Sequence, residues 1–316
     1  MATQPLSSLK PARRSRFALR WYSWLLLLIA AAYGLAFAMH WDDRGVLWVL
    51  ERFESPAERQ GSVWLPDYRA VVDAKPLPGM EKDEASDVTY DAQTKTLFSV
   101  MGKNPFLVEL SLQGDVLRKM PLVGWSNPEG VTALGNGMLA IVDERDHQVT
   151  IVKVDADTRE LNIADVVKYD LGPSKDQNKA FEAVTWDARN QQLLLGEERP
   201  PALFTWKGDG KALIGDKQKL ASDELDIRNL SALAIDPRTG HTLVLSADSH
   251  LLLELDEKGE QVSFMTLLGG FNGLNKTIPR AEGVTMDEAG TLYLVSEPNL
   301  FYRFEKTAGA LTANGH

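Results

Sequence analysis

Apolar residues come in short runs separated by turns along most of this chain. From Ala85 the runs pair up. ASDVTY and TLFSV flank Asp91 to Lys95, and PEGVTAL and MLAIV flank Gly135-Asn136-Gly137. FEAVTW and QLLLG flank Asp187 to Asn190, LSALAI and TLVLS flank Asp236 to Gly240, and AEGVTM and LYLVS flank Asp287 to Gly290. Short β-prone runs split by Asp, Asn and Gly are hairpin grammar. A third strand is expected after each pair, at Phe106 to Leu110, Val149 to Val154, Leu203 to Trp206, Leu251 to Leu255 and Phe301 to Phe304. No helical period competes across residues 82 to 306, apart from short ambiguous stretches such as Leu161 to Val167.

The paired runs are copies of one unit. Their second residues, Ser86, Glu129, Glu182, Ser231 and Glu282, are spaced by 43, 53, 49 and 51 positions. Self-similarity at this period, with about four strands per copy, predicts an all-β fold, a β-propeller. Open sheet edges are a liability, so the ring must close. The last copy has three strands, and Tyr68 to Asp73 (YRAVVD) is a strand with no copy of its own. It is expected to supply the outer strand of the last blade. Five blades follow, with a sixth, degenerate one conceivable in residues 155 to 180 or 207 to 228.

A different pattern precedes the repeats. From Trp21 to Met39 no residue carries a formal charge, and Trp21, Tyr22, Trp24 and Trp41 stand at its ends. At about 1.5 Å per residue such a helix nearly spans a hydrocarbon core of about 30 Å. Lys10, Arg13, Arg14, Arg16 and Arg20 lie before it and Asp42-Asp43 after it, which places the N-terminus in the cytoplasm and the body outside. A cleaved signal peptide is the alternative, since Ala36-Phe37-Ala38 fits a small-x-small cleavage site; the length of the run favours an uncleaved anchor. The expected organisation is a basic tail (1–20), a transmembrane signal-anchor helix (21–41), a connector (42–66), the propeller (67–306) and a C-terminal tail (307–316). Within the connector, Val46 to Phe53 suits a short helix ended by Glu54-Ser55-Pro56.

Composition changes this picture little, but charge does. The 316 residues are 44% hydrophobic and 25% charged, as in ordinary globular proteins. There is no cysteine, hence no disulfide framework and no thiolate ligand or nucleophile. Removing the five basic residues of the first 40 from 34 Lys+Arg leaves 29 against 44 Asp+Glu in the rest. A body that acidic is a poor partner for nucleic acid and suits cations.

The carboxylates also fall in register. In a propeller the residue before the first strand and the residue after the second share one face near the axis. The first column reads Ser86, Glu129, Glu182, Ser231, Glu282, and the second Gly102, Glu144, Glu198, Asp248, Glu297. Carboxylates converging on a funnel repel unless neutralised. Calcium, with six to eight oxygen ligands and tolerant geometry, does this well, while the scarcity of His and the lack of Cys disfavour softer metals. The candidate ligands are Glu129, Glu144, Glu182, Glu198, Glu282, Glu297 and Asp248. The plainer reading is that these are solvated strand ends of an acidic protein. His147 and His250 lie near the expected rim as possible bases or ordinary surface residues. Trp186-Asp187 falls in a first strand and reads as core. Arg145 and Arg199 follow the second column and are placed to pair with its carboxylates or meet an anion. No GxSxG, Walker A or HExxH pattern occurs.

The anchor, AKPLPG (74–79), VDERD (142–146), IPRAEGVTMD (278–287) and VSEPNLFYRF (295–304) together resemble the SdiA-regulated, YjiK-like proteins of Gram-negative bacteria. The likeness covers nearly all of residues 62 to 306. It implies a membrane-tethered periplasmic propeller, distantly similar to NHL repeats, with calcium at an acidic site drawn from the glutamate columns. Ser86 and Gly102 depart from that pattern, which leaves the first copy without a carboxylate there. Two functions follow. One is a calcium-stabilised module on the outer side of the inner membrane, binding a small molecule, glycan or protein at the propeller face. The alternative is a calcium-dependent hydrolase of lactonase or phosphoesterase type, an analogy of fold only.

Overall fold

The computed structural model describes residues 21–38, 41–53, 55–172, 181–220, 225 and 227–307. The chain divides into two units at Val46/Leu47. The first holds the helix Trp21–Ala38, apolar round its whole circumference, with Trp21, Trp24, Leu26, Leu28 and Phe37 all exposed. Its 18 residues reach about 27 Å, slightly less than the hydrocarbon thickness of about 30 Å. Among the described residues no helix is long and apolar enough to cross a membrane. A second helix, Trp41–Glu51, follows, and then a short one, Pro56–Gln60. Ser55 and Glu58 form a reciprocal capping box at the start of the short helix.

The second unit is a five-bladed propeller. Blade one pairs Ala85–Asp91, Thr96–Met101, Phe106–Leu110 and Val116–Val123 in order, with Leu161–Asn162 added parallel to its edge. Blade two is Pro128–Gly135, Met138–Asp143, Gln148–Lys153 and Val167–Asp170, and blade three is Phe181–Asp187, Gln192–Glu197, Ala202–Lys207 and Gln218–Lys219. Blade four is Ala232–Ile235, Thr242–Ser246, Leu251–Leu255 and Gln261–Thr266. Blade five is Ala281–Met286, Leu292–Ser296 and Leu300–Lys306, and its outer strand is Tyr68–Pro76. That strand pairs antiparallel with Leu300–Lys306, from Tyr68 opposite Lys306 to Pro76 opposite Leu300, so the N-terminal strand closes the ring as expected. The described parts of 155–180 and 207–228 supply outer strands to blades two and three, which leaves no sixth blade there. The ambiguous stretch from Leu161 becomes a two-residue strand and one 3-10 turn, Ile163–Asp165.

Side chains alternate across each strand, and both faces of a blade are covered by neighbours. In Met138–Asp143, Leu139 and Ile141 pack toward blade one while Ala140 and Val142 pack toward blade three. The buried apolar residues accordingly sort into five clusters, one between each pair of adjacent blades. This explains why the second strands read as unbroken apolar runs rather than alternating ones. Each buried Leu or Val contributes about 2 kcal/mol.

The connector is pinned to blade four. Glu254, fully buried, accepts from the backbone amides of Val63 (2.7 Å) and Trp64 (3.0 Å) and from the Ser263 hydroxyl (2.6 Å). His241 lies 2.7 Å from the same carboxylate, and that hydrogen bond holds the imidazole above its usual range.

Candidate functional site: two ends of the central axis

The first strands of the five blades pack against one another in a closed circle around the axis. Their residues stack in layers, and the top layer is the first column, Ser86, Glu129, Glu182, Ser231 and Glu282. In blades one, two, three and five the pairing register shifts across this residue, between Ala85 and Asp87, Pro128 and Gly130, Phe181 and Ala183, and Ala281 and Gly283. Ser86, Glu129, Glu182 and Glu282 are therefore the extra, unpaired residues of β-bulges. A bulge bends the strand and re-aims one side chain, here toward the axis rather than into an inter-blade core. In blade four the regular strand begins at Ala232, and the Ser231 amide donates to Leu245 O at 2.9 Å.

Close packing accompanies the bulges. A Cβ on Gly130 would stand 2.4 Å from the carbonyl oxygen of Glu182, so only glycine lets blade three approach blade two here. A Cβ on Gly102 would stand 2.9 Å from Glu129 Oε1 and 2.8 Å from Ser86 Oγ. The missing side chain in the second column of blade one is thus space used by the Glu129 carboxylate.

The glutamates sense one another. Burial pushes the Glu129 carboxyl up to about 8; a hydrogen bond from Ser86 opposes this, and repulsion from Glu144, Glu282 and Glu297 adds to it. Burial likewise holds Glu182 well above the carboxylate range, reinforced by Glu198, Glu129, Glu282 and Glu144. Glu282 is pushed up to about 7 by burial, against a hydrogen bond from Ser231 and the charge of Arg280. The carboxylates of blades two, three and five therefore share one mouth.

The second column is partly neutralised. Arg280 bridges Glu282 (3.3 Å) and Glu297 (2.8 Å), and Arg199 bridges Glu198 (2.9 Å) and Asp248. Burial raises Glu297, and Arg280 pulls it back. Asp248 is the most exposed of the seven candidates, at the rim. Glu144 is buried and accepts from Asn127 Nδ2 at 3.0 Å. Asn127 and its counterpart Asn229, which donates to Ser231 at 3.0 Å and to Glu198 at 3.4 Å, were not singled out in the sequence. The available signal was their shared offset, two residues before the first column. Arg145 is exposed.

His147 and His250 stand in the turns between second and third strands with φ of 49° and 48°, a region where His is enriched. Their carbonyls accept from Leu171 and Leu267, which ties each turn to the outer part of its blade. These are turn-forming positions.

As a cation site the donor set is chemically suitable. It is all oxygen, with carboxylates from three blades and hydroxyls from the other two. Among the described residues, however, no three Asp, Glu or His are already gathered as a metal cluster. Glu129, Glu182 and Glu282 are the members whose carboxyls are buried and most strongly raised.

Below the glutamates lies a layer of Asp87, Gly130, Ala183, Ala232 and Gly283. Asp87, 1% exposed, accepts from its own Val88 amide (2.8 Å), from Val131 of blade two (2.9 Å) and from Val284 of blade five. Burial raises its carboxyl and the three amides oppose that. Sequence reading did not single it out, although one Asp among four small residues in register was a visible signal. Next come Val88, Val131, Val184, Leu233 and Val284, then Thr89, Thr132, Thr185, Ala234 and Thr285. Threonine hydroxyls here accept from the next blade. Ala133 N donates to Thr89, Trp186 N to Thr132 and Tyr90 N to Thr285, all at 3.0–3.1 Å. This end opens into a cavity of about 620 Å³.

Comparison with solved structures gives likeness of fold. Glutaminyl cyclase of Myxococcus xanthus aligns with 76% of this chain and 97% of its own at 13% identity and a TM-score of 0.51. A streptogramin B lyase aligns over 76% and 98% at 11% identity and a TM-score of 0.46. The nidogen/laminin complex aligns over 67% and 72% at 16% identity and a TM-score of 0.45. At such identities activity does not carry over. Residues 60–305, nearly the whole propeller and its closing strand, match the SdiA-regulated family, and the chain belongs to that family.

Proposed function

We propose that this protein is a cation-dependent binding module whose glutamate-lined mouth takes calcium, held chiefly by Glu129, Glu182 and Glu282. The observation that carries this is the set of bulges, which turn three glutamates out of the ladder toward one axis, where burial and mutual repulsion disfavour their ionised forms. A divalent ion supplies the positive charge they lack and draws them together. Glu144 adds a buried oxygen donor alongside. Glu198, Glu297 and Asp248 are joined through Arg199 and Arg280, and those pairs open if the outer carboxylates turn to the ion. With the ion in place, the face around it offers a partly neutralised mouth ringed by two arginines, suited to a small molecule, glycan or protein bearing oxygen donors.

The helix Trp21–Ala38 is read as the tether. An apolar surface on every side asks for a nonpolar surrounding, and the arginines before it set the body on the outer, periplasmic side of the inner membrane. The hydrolase alternative needs a base beside the ion; His147 and His250 are the candidates from the sequence, and what their backbones do is form turns.

The test is calcium titration of chelator-treated protein, followed by thermal unfolding. A melting temperature raised by calcium in the parent, and unmoved in Glu129→Gln and Glu182→Gln, is expected. An equal rise in both variants would remove them from the site. For the tether, alkaline extraction of membranes should leave the full chain in the pellet; release into the supernatant would overturn that part.

A further inference from the structure

We propose that the cavity at the opposite end of the axis is a separate site for a small organic cation with an apolar body, such as a quaternary or tertiary amine. The cavity, of about 620 Å³, lies at the far ends of the five first strands. Its wall makes few polar demands, because the threonine oxygens of three blades already accept a neighbour's amide. Recognition therefore falls to the rim.

The rim is electron-rich. Tyr90 and Trp186 present aromatic rings, Met286 a thioether, and among the described residues that line the cavity none is Lys, Arg or His. Two guanidiniums stand behind the rim, each with a carboxylate partner: Arg238 reaches Met286 Sδ at 3.2 Å with Asp236 2.9 Å from its Nε, and Arg189 donates to the carbonyls of Pro237, Arg238 and Thr239 and pairs with Glu257 at 3.2 Å. After the first strands the rim positions are Ala92, Asn136, Ala188, Pro237 and Glu288, so one exposed carboxylate stands among four uncharged residues, with the buried Asp91 also in the wall. Glu288 is exposed at that rim. It acts on Tyr90, whose hydroxyl is held above its usual range by burial first and then by the negative charges of Glu288, Asp287 and Asp91. Aromatic faces beside a carboxylate are how proteins hold alkylammonium groups. Glu288 repels an anion, and a neutral apolar ligand gains nothing from it. The site is independent of any ion at the glutamate mouth, which lies at the other end of the same strands.

The test compares choline with its uncharged isostere, 3,3-dimethylbutan-1-ol, by saturation-transfer NMR and calorimetry on the full chain. Choline should bind about tenfold tighter than the alcohol. Glu288→Gln should remove most of that preference, and Trp186→Leu should weaken choline. Glu160→Gln, which deletes one exposed carboxylate elsewhere, should change neither. Equal binding of the two probes would overturn the proposal, as would no binding of choline. So would a preference lost equally in Glu160→Gln, which marks diffuse attraction to an acidic surface, or one lost in Glu182→Gln instead, which moves the cation to the other mouth.

Discussion

At one end of the axis four of the five first strands bulge at the first column; at the other only Pro128–Gly135 shifts register, between Ala133 and Gly135. The same five strands thus make two different ends. At the bulged end an extra residue leaves the ladder, and in three blades that residue is a glutamate whose ionised form is disfavoured. At the regular end the threonines complete the ladder by accepting amides across blades. One end stores unmet charge and the other satisfies itself, so a cation should matter greatly at the first and substitutions there should be conditional on it.

The largest expected effect breaks the approach of the blades. Gly130→Ala places a Cβ against the Glu182 carbonyl and should destabilise by about 3 kcal/mol in chemical denaturation. Asp87→Ala leaves inter-blade amides of Val131 and Val284 without an acceptor and should lose a similar amount, about 3 kcal/mol. If either is near neutral, the layer below the glutamates is not what holds the blades at the axis.

Of comparable size is the pH dependence. Glu129 and Glu282 have folded values of about 8 and about 7 against an ordinary 4.5. The folded state therefore holds more protons than the unfolded one between those limits. Its stability is greatest relative to the unfolded chain below about 4.5, falls as pH rises from there, and levels off once pH has passed about 7 to 8. At about 1.4 kcal/mol per unit for each group, and with neighbouring carboxylates titrating together, a loss of several kcal/mol is expected from calcium-free protein across that range. Calcium should flatten the slope. Glu182→Gln should do the same without calcium, stabilising the ion-free protein at neutral pH by about 1 kcal/mol. A destabilised Glu182→Gln would mean that the glutamate is already satisfied.

Smaller effects separate the two ends. Thr132→Val, at the regular end, removes the acceptor for Trp186 N and should lose about 1 kcal/mol whether or not calcium is present. Arg280→Gln, at the bulged end, frees Glu282 and Glu297 and should tighten calcium several-fold while leaving stability nearly unchanged. Equal calcium affinity in parent and variant would detach Arg280 from the site.

Much of this was legible in the residues. The repeat and its Asp- and Gly-rich turns gave five blades, and the orphan strand from Tyr68 gave the closure, because a ring without an edge needs one. The outer strands Val167–Asp170 and Gln218–Lys219 were not legible. They are short and polar, with one face in solvent, and carry no apolar period. The glutamate column could be read from spacing, but its cause could not, since a bulge adds one residue without lengthening the hairpin. Pairing of Arg199 with Glu198 is local and was visible. Its reach to Asp248 in the next blade, and the clamp of Glu254 on Val63 and Trp64, join residues far apart in the chain and needed the fold. The threonine ring was present as a recurring Val-Thr in four of five copies and reads clearly only beside the cavity it lines.

Calorimetric titration of calcium into ion-free protein at neutral pH, repeated in two buffers of different ionisation enthalpy, tests the account most directly. Saturable binding with release of protons from the raised glutamates is expected, with both heat and proton release lost in the Glu129→Gln, Glu182→Gln double variant. No binding, or binding of undiminished strength in that variant, would contradict it.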